Sequence, residues 1–223
     1  MAFLTQFANI GSIFLSPLLL IEEGGDSALA AGLVLAPGAA AVAALSPLAG
    51  RLSDRLGPRA VILSGIAVML AATLFLSTYA TARPAYLLAL GLFALGVGFA
   101  GVNSPAANAA SATLARESAG VGLGVYQLFF FLGSGSGPAI LGAFLSSRRE
   151  GGEGPLNPFY GFDASPYSDA FLLAAAALAL ALLAAVGVEG SEGNRESAKP
   201  GRFAGSEGSG QSLSKERQGR QGG

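Results

Sequence analysis

The sequence predicts an all-α protein, a polytopic membrane helix bundle of six transmembrane helices. Hydrophobic residues make up 52% of the 223 residues and charged residues only 12%, with a mean hydropathy of +0.55, whereas soluble domains carry about 25% charged residues. Six apolar stretches each approach or exceed the ~20 residues that a helix needs to cross a bilayer. They are continuous rather than alternating, which argues against a membrane β-barrel. The stretches cover residues 3–21, 28–49, 60–79, 85–113, 119–146 and 169–188.

The first stretch is typical of a membrane helix rather than of a cleaved signal peptide. It starts at Phe3 with no basic segment before it, and Glu22, Glu23 and Asp26 follow it in place of the small residues of a cleavage site. Because the chain enters the membrane so close to its first residue, we expect it to be part of a longer protein.

The second and third stretches are separated by a charged decapeptide, which the sequence predicts to be a short turn between two membrane helices. Its order is Gly50-Arg51-Leu52-Ser53-Asp54-Arg55-Leu56-Gly57-Pro58-Arg59.

The fourth stretch contains a glycine pattern that resembles a nucleotide-binding fingerprint only in its letters. Residues Gly96 to Gly101 match GxGxxG, but that fingerprint needs a strand, a tight turn and the start of a helix. Here the pattern lies in the middle of an apolar helix, where glycines allow close helix–helix approach. Nothing else in the sequence indicates ATP binding.

The fifth stretch carries a second glycine pattern. Gly133 and Gly137 form a GxxxG face, Ser134 and Ser136 are suited to hydrogen bonds between helices, and Pro138 favours a bend. Two interpretations stay open at this point: ordinary close packing, or a hinge where two bundles move against each other.

The sixth stretch ends the predicted bundle, which comprises residues 1–188. Residues 189–223 are dominated by Gly, Ser, Glu, Lys, Arg and Gln. This composition predicts a disordered cytoplasmic tail.

Basic residues predict the orientation in the membrane. Ten of the 13 lie on one side and three on the other; the short connections alone give four against three in the same direction. The positive-inside rule then makes both termini cytoplasmic in a multi-pass plasma-membrane protein. The first group is Arg51, Arg55, Arg59, Arg116, Arg195, Lys199, Arg202, Lys215, Arg217 and Arg220, and the second is Arg83, Arg148 and Arg149.

A few polar side chains interrupt the apolar stretches. Polar groups at membrane depth either bond between helices or face a water-filled cavity, and both interpretations stay open. The candidate cavity-lining residues are Gln6, Asn9, Asn103, Asn108, Tyr126 and Gln127.

Absent residue types exclude several kinds of chemistry. The chain has no His, Cys or Trp, so we predict no metal site, no thiol chemistry, no cofactor and no enzymatic activity. A net charge of −1 gives no attraction for nucleic acid. No Asp, Glu, Lys or Arg lies deep in a predicted span, since Glu22 and Asp169 are at span ends.

The decapeptide and the span count together resemble a known family. The order Gly-x-Leu-Ser-Asp-Arg-Leu-Gly-x-Arg is similar to the conserved loop of the major facilitator superfamily of transporters, and six spans equal one half of such a protein. The segments 120–145, 155–160 and 167–171 are similar to the C-terminal end of the fourteen-span drug:proton antiporters, which include multidrug exporters and Gram-positive-type tetracycline exporters.

This resemblance implies a C-terminal six-helix half, with a pore between it and a second half. It implies proton-coupled export of small amphipathic compounds by alternating access, with the coupling acids in the other half. It also implies that Asp54 stabilises one access state through a helix N-terminus of the opposite half. The implied gating loop comprises Gly50, Asp54, Arg55, Gly57 and Arg59.

The implied partners are a small-molecule substrate, protons, the lipid bilayer and a second six-helix or larger half. That half belongs to the same longer gene product or to a homo- or hetero-dimer. The alternative is a non-transporting membrane assembly or regulatory subunit derived from a transporter half.

Overall fold

The structure, a computed structural model, describes residues 1–79, 85–112, 119–151, 156–157 and 165–196. Within these residues it is a bundle of six α-helices with no strand, which confirms the predicted fold class. All six helices are long and apolar enough to cross a membrane. They are α1 (Ala2–Glu22), α2 (Ala28–Leu56), α3 (Pro58–Tyr79), α4 (Tyr86–Ala112), α5 (Ala119–Gly151) and α6 (Ser165–Glu196).

The chain divides into two compact units. The first is Met1–Gly187 and contains the six-helix bundle; the second is Val188–Gly223. Of the second unit the structure describes only the continuation of α6 to Glu196. The predicted disorder of 189–223 concerns mostly residues outside the described part, and it stays a prediction.

The charged decapeptide differs from the expected loop, because almost all of it is helical. α2 continues to Leu56, α3 begins at Pro58, and Gly57 is the single residue between them. Gly57 has φ +87°, a left-handed conformation that favours glycine. Proline is well suited to the first turn of the next helix, where its missing N–H has no partner to lose. The end of α2 and the start of α3 are therefore set by the backbone preferences of Gly57 and Pro58. The sequence prediction places them instead where hydropathy falls.

Two other helices also extend past the apolar stretches that predicted them. α5 runs to Gly151 rather than to residue 146, and α6 begins at Ser165 rather than at residue 169. These extra turns bring Arg148, Arg149 and Asp169 inside helices. These charged side chains, which the sequence places in a loop or at a span end, are thus held on helices.

The glycines of 96–101 serve close helix packing, as predicted. A methyl group added at Gly96 would overlap the carbonyl of Gly38 in α2, and one at Gly98 would lie 2.7 Å from the carbonyl oxygen of Gly65 in α3. The α4 backbone therefore approaches both neighbours through glycine faces, an arrangement frequent between membrane helices.

The six helices are enclosed to very different degrees. In the most apolar window of α1, 61% of the residues are buried, against 17% in α2 and 22% in α5. The interior of the bundle includes Leu15, Ile66, Leu95, Leu141 and Phe171, each at most 1% exposed. α1 is thus the most enclosed helix, and α2 and α5 are the most exposed.

Candidate functional site

The predicted gating residues lie at the end of α2 and the start of α3. Asp54 and Arg55 are exposed in the last turn of α2, while the preceding residue, Ser53, is buried. Gly50 faces α4, where an added methyl would lie 3.5 Å from Ser104 Oγ. The exposed carboxylate of Asp54 is thus carried on a helix, which orients it more firmly than a loop would.

Arg59 connects this segment to the last helix. Its Nη2 donates to the carbonyl oxygen of Ala185 in α6 at 3.4 Å. The start of α3 is therefore attached to the later part of α6.

The predicted cavity residues occupy different environments. Gln6 and Asn9 on α1 are 4% and 5% exposed, Asn103 and Tyr126 are half-buried, and Asn108 and Gln127 are exposed. Their lining of one common cavity stays a prediction.

Two buried polar atoms on α1 have no hydrogen-bond partner among the residues that the structure describes. They are Gln6 Oε1 and Ser12 Oγ. A buried polar atom without a partner costs about 1–3 kcal/mol, so these atoms are suited to bind water or a polar ligand.

Gly133 and Gly137 lie against α1. A methyl group at Gly133 would overlap the carbonyl of Phe3, and one at Gly137 would overlap the carbonyl of Phe7. One turn further, Gly11 of α1 faces the side chain of Leu141 of α5. The repeated four-residue step shows that α1 and α5 run parallel and in close backbone contact. Pro138 lies inside α5, which continues as a helix to Gly151.

Sequence reasoning missed a charged network at the opposite end of the bundle from Asp54. Its inner part, here called the buried pair, is Arg148 of α5 and Asp169 of α6. Nε and Nη2 of Arg148 donate to Asp169 Oδ2 at 2.9 and 2.6 Å, and the side chains are 9% and 0% exposed. Asp169 Oδ1 accepts from the backbone N–H of Leu156 at 2.8 Å. Both carboxylate oxygens are therefore occupied.

The outer part of the network, here called the outer triad, is Glu22, Arg149 and Tyr167. Arg149 Nη2 donates to Glu22 Oε2 and to the Tyr167 hydroxyl at 2.8 Å. The Tyr167 hydroxyl donates to the same Glu22 oxygen at 2.5 Å. These bonds join the end of α1, the end of α5 and the start of α6.

Neutral polar residues form further hydrogen bonds at the same end of the bundle as the charged network. Ser77 Oγ of α3 donates to the carbonyl of Ser168 at 2.9 Å, and Ser168 Oγ donates to the carbonyl of Ser77 at 2.6 Å. Asn157 Nδ2 donates to Ser77 Oγ at 3.0 Å. Asn157 and the start of α6 are thereby attached to the end of α3.

One signal for this network was present in the sequence. Arg148 and Arg149 follow one apolar stretch, and Glu22 and Asp169 adjoin two others on the same predicted side of the membrane. Opposite charges at neighbouring helix ends are candidates for ion pairs.

Six apolar helices, close glycine packing and charges concentrated at helix ends define a polytopic membrane protein. The model of the Major Facilitator Superfamily matches residues 1–218. The chain therefore belongs to this superfamily of transporters, as the decapeptide and span count had indicated.

Two proteins similar to this chain are named for drug resistance. The chain is 33% identical to the multidrug resistance protein Stp of Mycobacterium tuberculosis over 141 residues, which cover 63% of this chain and 26% of that protein. It is 36% identical to the lincomycin resistance protein LmrB of Listeria monocytogenes over 77 residues, which cover 34% of this chain and 16% of that protein. The matched segments thus span about a quarter of the first relative's length and about a sixth of the second's.

Proposed function

We propose that this chain is the C-terminal six-helix half of a major facilitator-type secondary transporter that exports small amphipathic compounds. The observation that carries the proposal is the family match along nearly the whole chain, together with relatives named for multidrug and lincomycin resistance. Export would proceed by alternating access, with the substrate bound between this half and another.

The need for a second half is supported by the uneven exposure of the helices. α2 and α5 bury only 17% and 22% of their apolar windows, and α5 exposes Gln127, a polar side chain that is unfavourable in contact with lipid. A second six-helix or larger half would cover these helices. It would come from the same gene product or from a dimer partner.

An immunoblot of native membranes with an antibody against residues 190–223 separates the two arrangements. A band near 22.2 kDa supports pairing of half-size chains. A band near twice that mass or more, with the identity of the product checked by mass spectrometry, supports one longer product.

Proton coupling is proposed to depend on acids outside this chain. Asp169 is the one buried carboxylate among the described residues, and Arg148 and Leu156 occupy both its oxygens. These bonds attach Asp169 to α5 and to Leu156, so we assign it a structural role. The acids would therefore lie in the other half.

Asp54 is proposed to control access. It is exposed at the end of α2, where its carboxylate is available to a helix N-terminus of the other half. Such a contact is worth about 0.3–1 kcal/mol when exposed and up to ~2 kcal/mol when partly buried. Arg55 and Arg59 would keep this segment at the cytoplasmic face, with both chain termini on the same side of the plasma membrane.

The test is export of a fluorescent cationic dye by cells that express the complete gene product. We expect Asp54→Asn to lower export several-fold while the amount of protein in the membrane is unchanged. Glu150→Gln, which neutralises an exposed acid at the other end of the bundle, is the matched control. Full export by the Asp54→Asn protein would refute the access role.

Absence of any export by the complete product, tested against several dyes and lincosamides, would refute the transport proposal. That result would favour the alternative of a membrane assembly or regulatory subunit.

A further inference from the structure

Two adjacent arginines at the end of α5 make ion pairs of different character. Arg148 forms the buried pair with Asp169, in which the side chains are 9% and 0% exposed. Arg149 forms the outer triad, in which its own side chain and that of Glu22 are each 37% exposed. One helical turn therefore holds one ion pair away from water and one in contact with it.

The outer triad is held by three hydrogen bonds, and Arg149 Nη2 also lies 3.8 Å from Glu23 Oε1. Arg149 donates to Glu22 and Tyr167, and Tyr167 donates to Glu22. The guanidinium carbon also lies 5.0 Å from the centre of the Tyr167 ring, within cation–π range. Because Tyr167 itself is fully buried, α6 provides a rigid base on which α1 and α5 meet.

The first two turns of the α1–α5 contact are backbone against backbone. Gly133 and Gly137 meet the carbonyls of Phe3 and Phe7, so no side chain of α5 projects into α1 at these points. Glycine faces allow two helices to tilt against each other at these turns, while one turn further the Leu141 side chain packs against Gly11. At the far end of α1, the outer triad joins the helix to α5.

We propose that the outer triad is a reversible contact that α1 breaks and re-forms during the transport cycle, while the buried pair stays closed. This inference rests on the proposed alternating-access function. Opening the triad would free the end of α1 from α5 and α6, and closing it would return α1 to the position seen here.

The difference in exposure explains why the two ion pairs behave differently. Water competes for an exposed ion pair, so its net contribution is small. Removing one member of a buried pair leaves a charge that water does not reach. The outer triad is therefore suited to repeated opening, and the buried pair to permanent attachment of α5 to α6.

The test is the distance between spin labels at Ile21 of α1 and Ser147 of α5, measured by double electron–electron resonance in the complete gene product in lipid vesicles. Both positions are exposed, and this chain contains no cysteine that would take up a label. We expect Glu22→Gln and Arg149→Gln each to raise the longer-distance population about fivefold, which corresponds to ~1 kcal/mol.

The double variant Glu22→Gln/Arg149→Gln should have a smaller effect than the sum of the single variants, because both changes remove the shared Arg149–Glu22 ion pair. Tyr167→Phe, which keeps the ring and loses the hydroxyl, should raise the same population. Glu150→Gln, a neighbouring exposed acid, should leave the distances unchanged. Unchanged distances in the single variants, or additive effects in the double variant, would refute the proposal.

The distances are measured without reference to export. If the wild-type protein exports nothing while the variants still shift the distances, the proposed function fails and the reversible contact stands. If export is present and the distances do not respond, only the reversible contact fails.

Discussion

The two ends of the bundle use their charged residues differently. At the end formed by α1, α5 and α6, Arg148 and Asp169 are buried together and Arg149 binds Glu22. At the end formed by α2 and α3, Asp54 and Arg55 are exposed. The first set of charges holds helices of this chain to one another. The second set is available to a surface outside it.

The largest effect is expected from breaking the buried pair. Asp169→Asn leaves the Arg148 guanidinium buried without that carboxylate, which should cost about 3–5 kcal/mol of stability. Thermal unfolding of the purified protein in detergent measures the loss. The double change Arg148→Met/Asp169→Leu removes both charges and should recover most of it; a double variant as unstable as the single one would contradict this account.

A smaller loss of stability is expected from a change in the contact between α1 and α5. Gly137→Ala places a methyl against the carbonyl of Phe7, and overpacking of this kind costs about 1–3 kcal/mol. Gly135→Ala is the matched control, since an added methyl there meets nothing within 4 Å. Equal melting temperatures for the two variants would show that the α1–α5 contact is less tight than described.

The Ser77 hydrogen bonds, at the same end as the buried pair, should contribute still less to stability. Ser77→Ala removes the donor to the Ser168 carbonyl and the acceptor for Asn157, at an expected cost of about 1–2 kcal/mol. Thr78→Val, which alters the neighbouring hydroxyl that donates to Leu74 within the same helix, is the comparison. The order of the two melting temperatures checks the assignment: Ser77→Ala should melt first.

The smallest effect on stability is expected at the end formed by α2 and α3. Asp54→Asn should change stability by less than about 0.5 kcal/mol, as surface changes usually do, although it should lower export. Melting temperature and dye export measured on the same preparation separate the two effects. A marked fall in melting temperature would mean that Asp54 helps to hold this bundle together.

The fold was predictable because hydropathy alone identifies helices that must satisfy their backbone groups inside a bilayer. The exact helix ends were not, since Leu52, Asp54 and Arg55 continue α2 despite the charges among them. Gly133 and Gly137 could be recognised from their spacing, but which helix they contact depends on the arrangement of all six.

The buried pair was beyond sequence reasoning for a related reason. Arg148 and Asp169 are 21 positions apart and lie at the ends of their apolar stretches, so hydropathy assigns both to the membrane surface. Only the added turns of α5 and α6 place them opposite each other. The predicted cavity residues and the gating role of Asp54 stay predictions, because both depend on the proposed second half.

Gly57 has a mechanical consequence. As the single residue between α2 and α3, it leaves no slack in the connection, so a displacement of the end of α2 pulls directly on α3. α3 is in turn attached to α6 near both ends, through Arg59 to Ala185 and through Ser77 to Ser168. The end of α2 that carries Asp54 is thereby connected through α3 to α6 at both ends of the bundle.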